Sequence, residues 1–175
     1  MKDCVTSIEK IKFRDASFDD LPAIVEIYNS TVPSRMVTAD TEAVSVESRV
    51  RWFHEHTPGK RPLWVIEDAE NKLVGWMSLH YFYGRPAYNG TAEMSIYIKA
   101  TERGKGLGKA SLRHCIEVCP SLGIKTLLGF IFAHNLPSLK LFNSLGFMDW
   151  GMLPDIATLD GVERSVVIVG KRIAD

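Results

Sequence analysis

The sequence predicts an α/β protein with a mixed central sheet. Three observations carry this. Segments with apolar residues at every second position interleave along the chain with segments at helical spacing. At 175 residues, the chain can bury a sizeable core in one domain, here residues 11–173. The stretch from Glu93 to Ser111 passes from an alternating strand, through Arg103-Gly-Lys-Gly-Leu-Gly108, into a helix.

The elements follow in order. Met1–Lys10 is short, carries acids and has no apolar core, so it reads as a loose extension and not a signal peptide. Ile11–Ala16 is an opening strand. Ser17-Phe-Asp-Asp20 fits the start of a helix, and Leu21, Ile24, Val25, Ile27 and Tyr28 supply its apolar stripe. Pro22 is tolerated in the first turn, and Pro33 is expected to end the helix. After a polar loop from Ser34 to Ala43, Ser45–His56 is a second helix with Val46, Val50 and Phe53 at helical spacing. Leu63–Asp68 and Leu73–Phe82 form a hairpin around Glu70-Asn71. A turn-rich loop, Gly84–Gly90, leads into the strand at Glu93. There Met94, Ile96 and Ile98 share one face, and Glu93, Ser95 and Tyr97 the other. The next helix carries Leu112, Cys115, Ile116 and Cys119 on one face and ends at Pro120 and Gly123. Thr126–Phe132 reads as a strand buried on both faces. A helix from Asn135 to Gly146 follows. Trp150–Ile156 and Arg164–Arg172 are two last strands around Asp160-Gly161.

Composition narrows the function. Twenty-one basic residues balance 21 acidic ones, which argues against a general nucleic-acid binder. No apolar run approaches a membrane span. The three cysteines are Cys4, Cys115 and Cys119. An odd count without a secretion signal points to a reducing, cytoplasmic setting. Cys115 and Cys119 lie four apart on a helix with nothing to complete a metal site, and read as small buried hydrophobes.

The glycine turn is the chemical feature. Glycine permits positive φ and close backbone approach, while a helix N-terminus offers unpaired N–H groups and partial positive charge. Together they suit phosphate. The Walker pattern fails, because Gly108-Lys109 is followed by Ala110. The dinucleotide fingerprint fails too, because the glycines fall at 104, 106 and 108. What remains is Arg-x-x-Gly-x-Gly directly after a strand, with a ligand-free glycine turn as the plain alternative.

That motif resembles the pyrophosphate-binding motif of the GNAT superfamily of acetyl-CoA-dependent N-acetyltransferases. Asn135-x-x-Ser138 followed by Leu141-Phe142-x-x-Leu145-Gly146-Phe147 is similar to the superfamily's later motif. The resemblance covers residues 11–173 and implies a sheet splayed at the cofactor-binding strand. Ile27-Tyr28-Asn29, Arg85-Pro-Ala-Tyr88 and Thr91-Ala-Glu93-x-Ser95-Ile-Tyr97 further resemble the phosphinothricin and methionine sulfoximine N-acetyltransferases. Those enzymes acetylate the α-amino group of small glutamate-like amino acids, and family members are commonly homodimers.

The resemblance implies these roles. Arg103, Gly104, Lys105, Gly106, Leu107, Gly108 and Lys109 hold the CoA pyrophosphate. The backbone of Ile96, Tyr97 and Ile98 pairs with the pantetheine amides, and Asn135 and Ser138 line that arm. A strand N–H near Ser95 or Ile96 polarises the thioester carbonyl. Glu93 is the candidate base: an α-ammonium has a pKa near ~7.7–8, so a carboxylate suffices, directly or through water. His80 is the runner-up. Many relatives carry tyrosine where Phe142 stands, and phenylalanine cannot protonate a departing thiolate. For the acceptor, Arg85 offers a two-pronged match to a carboxylate, flanked by Tyr83 and Tyr88, while Tyr28 and Asn29 close the pocket. No metal is expected. Two other readings stay open at this point: an acetyltransferase for peptides or other amines, which needs an open groove, and an acyl-CoA-binding sensor without turnover, which Phe142 suggests.

Overall fold

The computed structural model describes residues 11–174. The expected extension Met1–Lys10, with Cys4, lies outside the described residues. A seven-stranded mixed sheet carries helices on both faces, with four α-helices among the described residues.

Strand β1 is Lys12–Asp15. The Ser17 backbone N–H and hydroxyl both donate to Asp20 Oδ2, at 2.7 and 3.0 Å. They close a 3-10 turn that runs into α1, Leu21–Asn29. The helix stops before Pro33, earlier than the sequence suggests. The hydroxyls of Ser30 and Thr31 donate to the carbonyls of Ile27 and Tyr28, at 2.6 and 2.7 Å, and satisfy the last turn. Pro33 falls in a separate 3-10 turn, Val32–Ser34. Helix α2, Val46–His54, is capped by the Ser45 hydroxyl, which accepts from the Ser48 N–H at 3.2 Å. It ends two residues before the expected His56.

The hairpin is β2, Leu63–Glu67, and β3, Leu73–Tyr81. The central strand β4 is Thr91–Ile98. Helix α3, Leu107–Val118, leads to β5, Thr126–Phe132, and α4, Leu136–Asn143. The last hairpin is longer than its apolar pattern suggests: β6 spans Met148–Leu159 and β7 Val162–Arg172. Asp160 and Gly161 turn it with φ of 50° and 79°.

The sheet order is β1-β2-β3-β4-β5-β7-β6. All pairs are antiparallel except β4 with β5. One face packs under α3 and α4 through Met77, Leu79, Met94, Leu112, Leu127 and Phe142. Cys115 and Cys119 are free thiols wholly inside this cluster, as small hydrophobes would be. The other face packs under α1 and α2 through Ile24, Ile27, Val65 and Trp76, with Tyr97 against them. The Trp76 indole N–H donates to the Ile24 carbonyl at 3.0 Å and fixes α1 on the sheet. Among the described residues no helix is long and apolar enough to cross a membrane.

The feature that positions the site is a split. β4 pairs with β5 only through Thr91, Ala92 and Glu93, opposite Thr126, Leu127 and Leu128. Beyond that the strands part, while β4 stays paired to β3 as far as Ile98. The Phe142 ring of α4 lies over Gly129 of β5, where a Cβ would stand 3.0 Å from Phe142 Cε1. The glycine thus lets an aromatic ring lie directly over the strand at the opening.

Candidate active site

Two cavities meet on β4. The larger, about 440 Å³, fills the split between β4 and β5. Its floor is the open edge of β4 from Met94 to Ile98, whose backbone groups on that side have no strand partner. Such an edge is a template for pairing with another chain of amides. Arg103, Gly104 and Gly108 line one end, and Asn135, Ser138, Leu141 and Phe142 one wall.

The glycine turn behaves as its sequence suggests. Gly104 and Gly106 have φ of 76° and 85°, and Gly106 is the N-cap of α3. Gly108 serves packing as well, since a Cβ there would stand 3.0 Å from Leu141 Cδ2. Arg103 Nε donates to the Ile98 carbonyl at 3.2 Å, tying the turn to the end of β4. Lys105 is ion-paired with Glu102 at 2.8 Å, so its charge is already matched. Lys105, Gly106, Leu107 and Lys109 do not line the cleft. The Leu107 side chain is buried in the core, leaving its backbone N–H as its only means of contact. An open strand edge beside a glycine-led helix N-terminus and an arginine fits the amides and pyrophosphate of CoA.

Asn135 holds the cleft together. Its Oδ1 accepts from the Ser138 N–H at 3.2 Å and its Nδ2 donates to the Met36 carbonyl at 2.9 Å. His134 Nε2 lies 2.8 Å from the Arg35 carbonyl oxygen, and Arg35 reaches Asp160 at 2.7 Å. These contacts draw the loop after α1 across the opening, where Thr31, Ser34, Met36 and Val37 line it. Sequence reasoning saw that loop only as polar and irregular.

The smaller cavity, about 170 Å³, lies on the other face of the sheet, under α1 and α2. Trp76, Ser78 and His80 of β3 and Ser95 and Tyr97 of β4 line it, with Tyr28 from α1 and Arg49 and Trp52 from α2. Ser95 and Tyr97 belong to both cavities. Tyr97 stacks on Trp76 with ring centroids 4.3 Å apart, and burial raises its phenol pKa. The Tyr28 hydroxyl hydrogen-bonds Thr38 and Asp40, and its pKa too is raised, first by burial. Asn29 clamps the Val44 backbone from both sides at 2.9 Å and so fixes this wall.

Glu93 lies opposite His80 in the β3–β4 register, next to the point where β4 and β5 part. It lines neither cavity in its own right. Burial raises its carboxyl pKa, and among the described residues no hydrogen bond or ion pair opposes that. A carboxylate strengthened by desolvation is a better proton acceptor near neutrality. His80 is driven the other way, down to about 4, by burial and by His56, whose ring centroid is 4.6 Å away. It is neutral at physiological pH and a weak base. Arg85, Tyr83 and Tyr88 sit exposed on the β3–β4 connection and line neither cavity. Arg49, Trp52 and Ser78 are cavity residues that sequence reasoning missed. A signal existed for Arg49: it falls at helical spacing between Val46 and Phe53, a charge inside an apolar stripe.

Comparison with known proteins agrees with this geometry. Residues 21–147 match the family model described as "Acetyltransferase (GNAT) family". The chain is 52% identical over 161 residues to the Bacillus subtilis (strain 168) protein named "Putative phosphinothricin acetyltransferase YwnH", covering 92% of this chain and 98% of that one. It is 32% identical over 143 residues to the "L-methionine sulfoximine/L-methionine sulfone acetyltransferase" of Pseudomonas paraeruginosa, covering 82% and 83%. The solved structure of a GNAT superfamily phosphinothricin acetyltransferase from Sinorhizobium meliloti in complex with AcCoA superposes with a TM-score of 0.88 at 27% identity, covering 94% and 89%. A split sheet, a glycine-led helix at its mouth and a match across most of its length make this chain a member of the GNAT acetyltransferase family.

Proposed function

We propose that this acetyltransferase uses acetyl-CoA to acetylate the α-amino group of a small amino-acid analogue of the phosphinothricin or methionine sulfoximine kind. The observation that carries the reading is the small, aromatic-walled cavity that meets the cofactor cleft at Ser95 and Tyr97. Its volume suits a small molecule rather than a length of peptide. The names borne by the relatives point to the same acceptor class.

Acetyl-CoA supplies an acetyl group activated as a thioester. The chain's own residues do the rest. N–H groups of Gly104 to Lys109 and the Arg103 guanidinium hold the pyrophosphate at the head of α3. The open edge of Ile96, Tyr97 and Ile98 aligns the pantetheine amides, beside Asn135 and Ser138. A β4 N–H near Ser95 or Ile96 is placed to polarise the acyl carbonyl. Glu93 takes the proton from the acceptor ammonium, directly or through water, and frees the lone pair that forms the C–N bond. Position 142 offers no hydroxyl, so water returns the proton to the CoA sulfur. Arg85, with Tyr83 and Tyr88, forms the outer approach: its loop connects His80 on β3 to Glu93 on β4, and an exposed cation there draws an anionic acceptor inwards. The unpaired edge of β6, with Met148, Met152 and Ile156 exposed, is the face for a homodimer.

The test is an acceptor screen by thiol release from acetyl-CoA. The panel is L-methionine sulfoximine, L-phosphinothricin, polyamines and short peptides. Turnover on the two amino acids above the others is the expected result. Preference for peptides, or no turnover on any amine, would overturn the reading.

A further inference from the structure

The small cavity has one cation among its lining residues, and it is not the one the sequence points to. Arg49 reaches in from α2 with its side chain 28% exposed. Its guanidinium carbon lies 5.0 Å from the Tyr28 ring centroid. Nη2 donates to Asp40 Oδ2 at 2.7 Å, and the Tyr28 hydroxyl donates to the same oxygen. Asp40 is itself tied down, since its N–H donates to the Thr38 hydroxyl at 3.2 Å. One corner of the guanidinium is thus fixed from outside the cavity. Nε and Nη1 have no protein partner among the described residues.

Two features make this a built site. Nε and Nη1 of Arg49 are not sealed off from solvent and remain free to donate beside the aromatic walls, so the geometry suits an incoming acceptor of hydrogen bonds. No carboxylate lines the cavity and the His80 ring in its wall is neutral, so Asp40, which holds Nη2 from outside the cavity, is the carboxylate that shares Arg49 among the described residues. A carboxylate can take two parallel N–H bonds from one edge of a guanidinium. In an α-amino acid the amine is one carbon from the carboxylate. Held at Arg49, the acid keeps its amine in the cavity shared with Ser95 and Tyr97.

We infer that Arg49 is the inner anion-binding residue of the acceptor pocket and takes the α-carboxylate of the amino-acid acceptor, with Asp40 and Tyr28 fixing the guanidinium. This rests on the acceptor class proposed above. It makes Arg85 an approach residue and Arg49 the specificity determinant.

The experiment compares wild type with Arg49→Met, Arg49→Lys and Arg85→Ala. Acceptors are L-methionine sulfoximine and the same amine lacking its carboxylate. Acetyl-CoA affinity, by calorimetry, shows that each variant is folded and cofactor-competent. Hydrogen bonds to a charged group are worth enough that Arg49→Met should raise KM for the amino acid about ten- to a hundredfold. kcat should change little, because the contact is equal in ground and transition states. The carboxylate-free amine should be indifferent to the change. Arg49→Lys should recover part of the loss, and Arg85→Ala should raise KM less than Arg49→Met. An equal loss for both amines would make Arg49 a structural residue and overturn the inference, as would an unchanged KM. If wild type turns over no amino acid, the acceptor reading fails by itself. Calorimetric binding of L-methionine sulfoximine to wild type but not to Arg49→Met would then still support the site, and binding to both or to neither would overturn it.

Discussion

Replacing Glu93 with glutamine separates what burial does to the fold from what it does to the chemistry. The isostere keeps the shape of the side chain at the split and removes its charge. Among the described residues no cation pairs with Glu93, and burial lifts its pKa above the ordinary 4.5. The folded protein therefore holds its proton to higher pH than the unfolded chain does. Stability falls as pH rises from the ordinary value through the raised one, and the cost of the buried charge is complete above that window. Each unit of such a rise corresponds to about 1.4 kcal/mol. Glu93→Gln removes this cost, so at neutral pH the variant should unfold no lower than wild type, while at pH 4 any advantage should vanish. Activity should move the opposite way. General base catalysis contributes about 10²–10⁴-fold, and kcat at neutral pH should drop within that range with acetyl-CoA affinity unchanged. The residual rate should climb with pH as the free ammonium loses its own proton. Thiol release from acetyl-CoA with L-methionine sulfoximine, followed against pH beside thermal unfolding of the same samples, reads both effects. If Glu93→Gln turns over like wild type at neutral pH, Glu93 is not the base. If it also unfolds well below wild type, the description of an unopposed buried charge is wrong.

The glycine turn predicts that Gly106→Val weakens acetyl-CoA binding in a folded protein, because φ of 85° is strained for any β-branched residue. Gly108→Val should do the same and lower the melting temperature as well, since its side chain meets Leu141; unchanged calorimetric affinity in both would remove the phosphate-site argument. Phe142→Tyr should retain activity and raise kcat if a hydroxyl at the cleft assists the departing sulfur. Phe142 lines the cleft while only 6% exposed, so loss of folding would show instead that its ring tip is closed off from the opening. Light scattering at micromolar concentration should give a dimer mass, and a clean monomer would refute pairing through β6.

Much of this protein is written in local pattern. The order of elements, the two faces of β4, the burial of Cys115 and Cys119 and the glycine turn at the head of α3 all follow from spacing and from the conformations glycine allows. These properties depend on residues a few positions apart, so the chain carries them without its fold. The ends of elements were less legible. Pro33 looks like the stop of α1, yet the hydroxyls of Ser30 and Thr31 end it first, because side-chain hydrogen bonds can close a helix before a proline must.

The site was decided at longer range. β4 and β5 part after Glu93, and at that opening Phe142 lies over Gly129, residues brought together only by the packing of α4 on the sheet. The roof over the cleft depends on Asn135 reaching Met36, 99 residues away in the chain. Arg85 reads as the carboxylate anchor from its place in a motif, while the loop that carries it is exposed and lines neither cavity. Arg49 is not singled out by sequence reasoning, yet α2 turns it into the cavity, where Asp40 and Tyr28 fix one corner. Periodicity settles which face of an element is apolar. Only the packing of one element on another settles which polar side chains are caught inside.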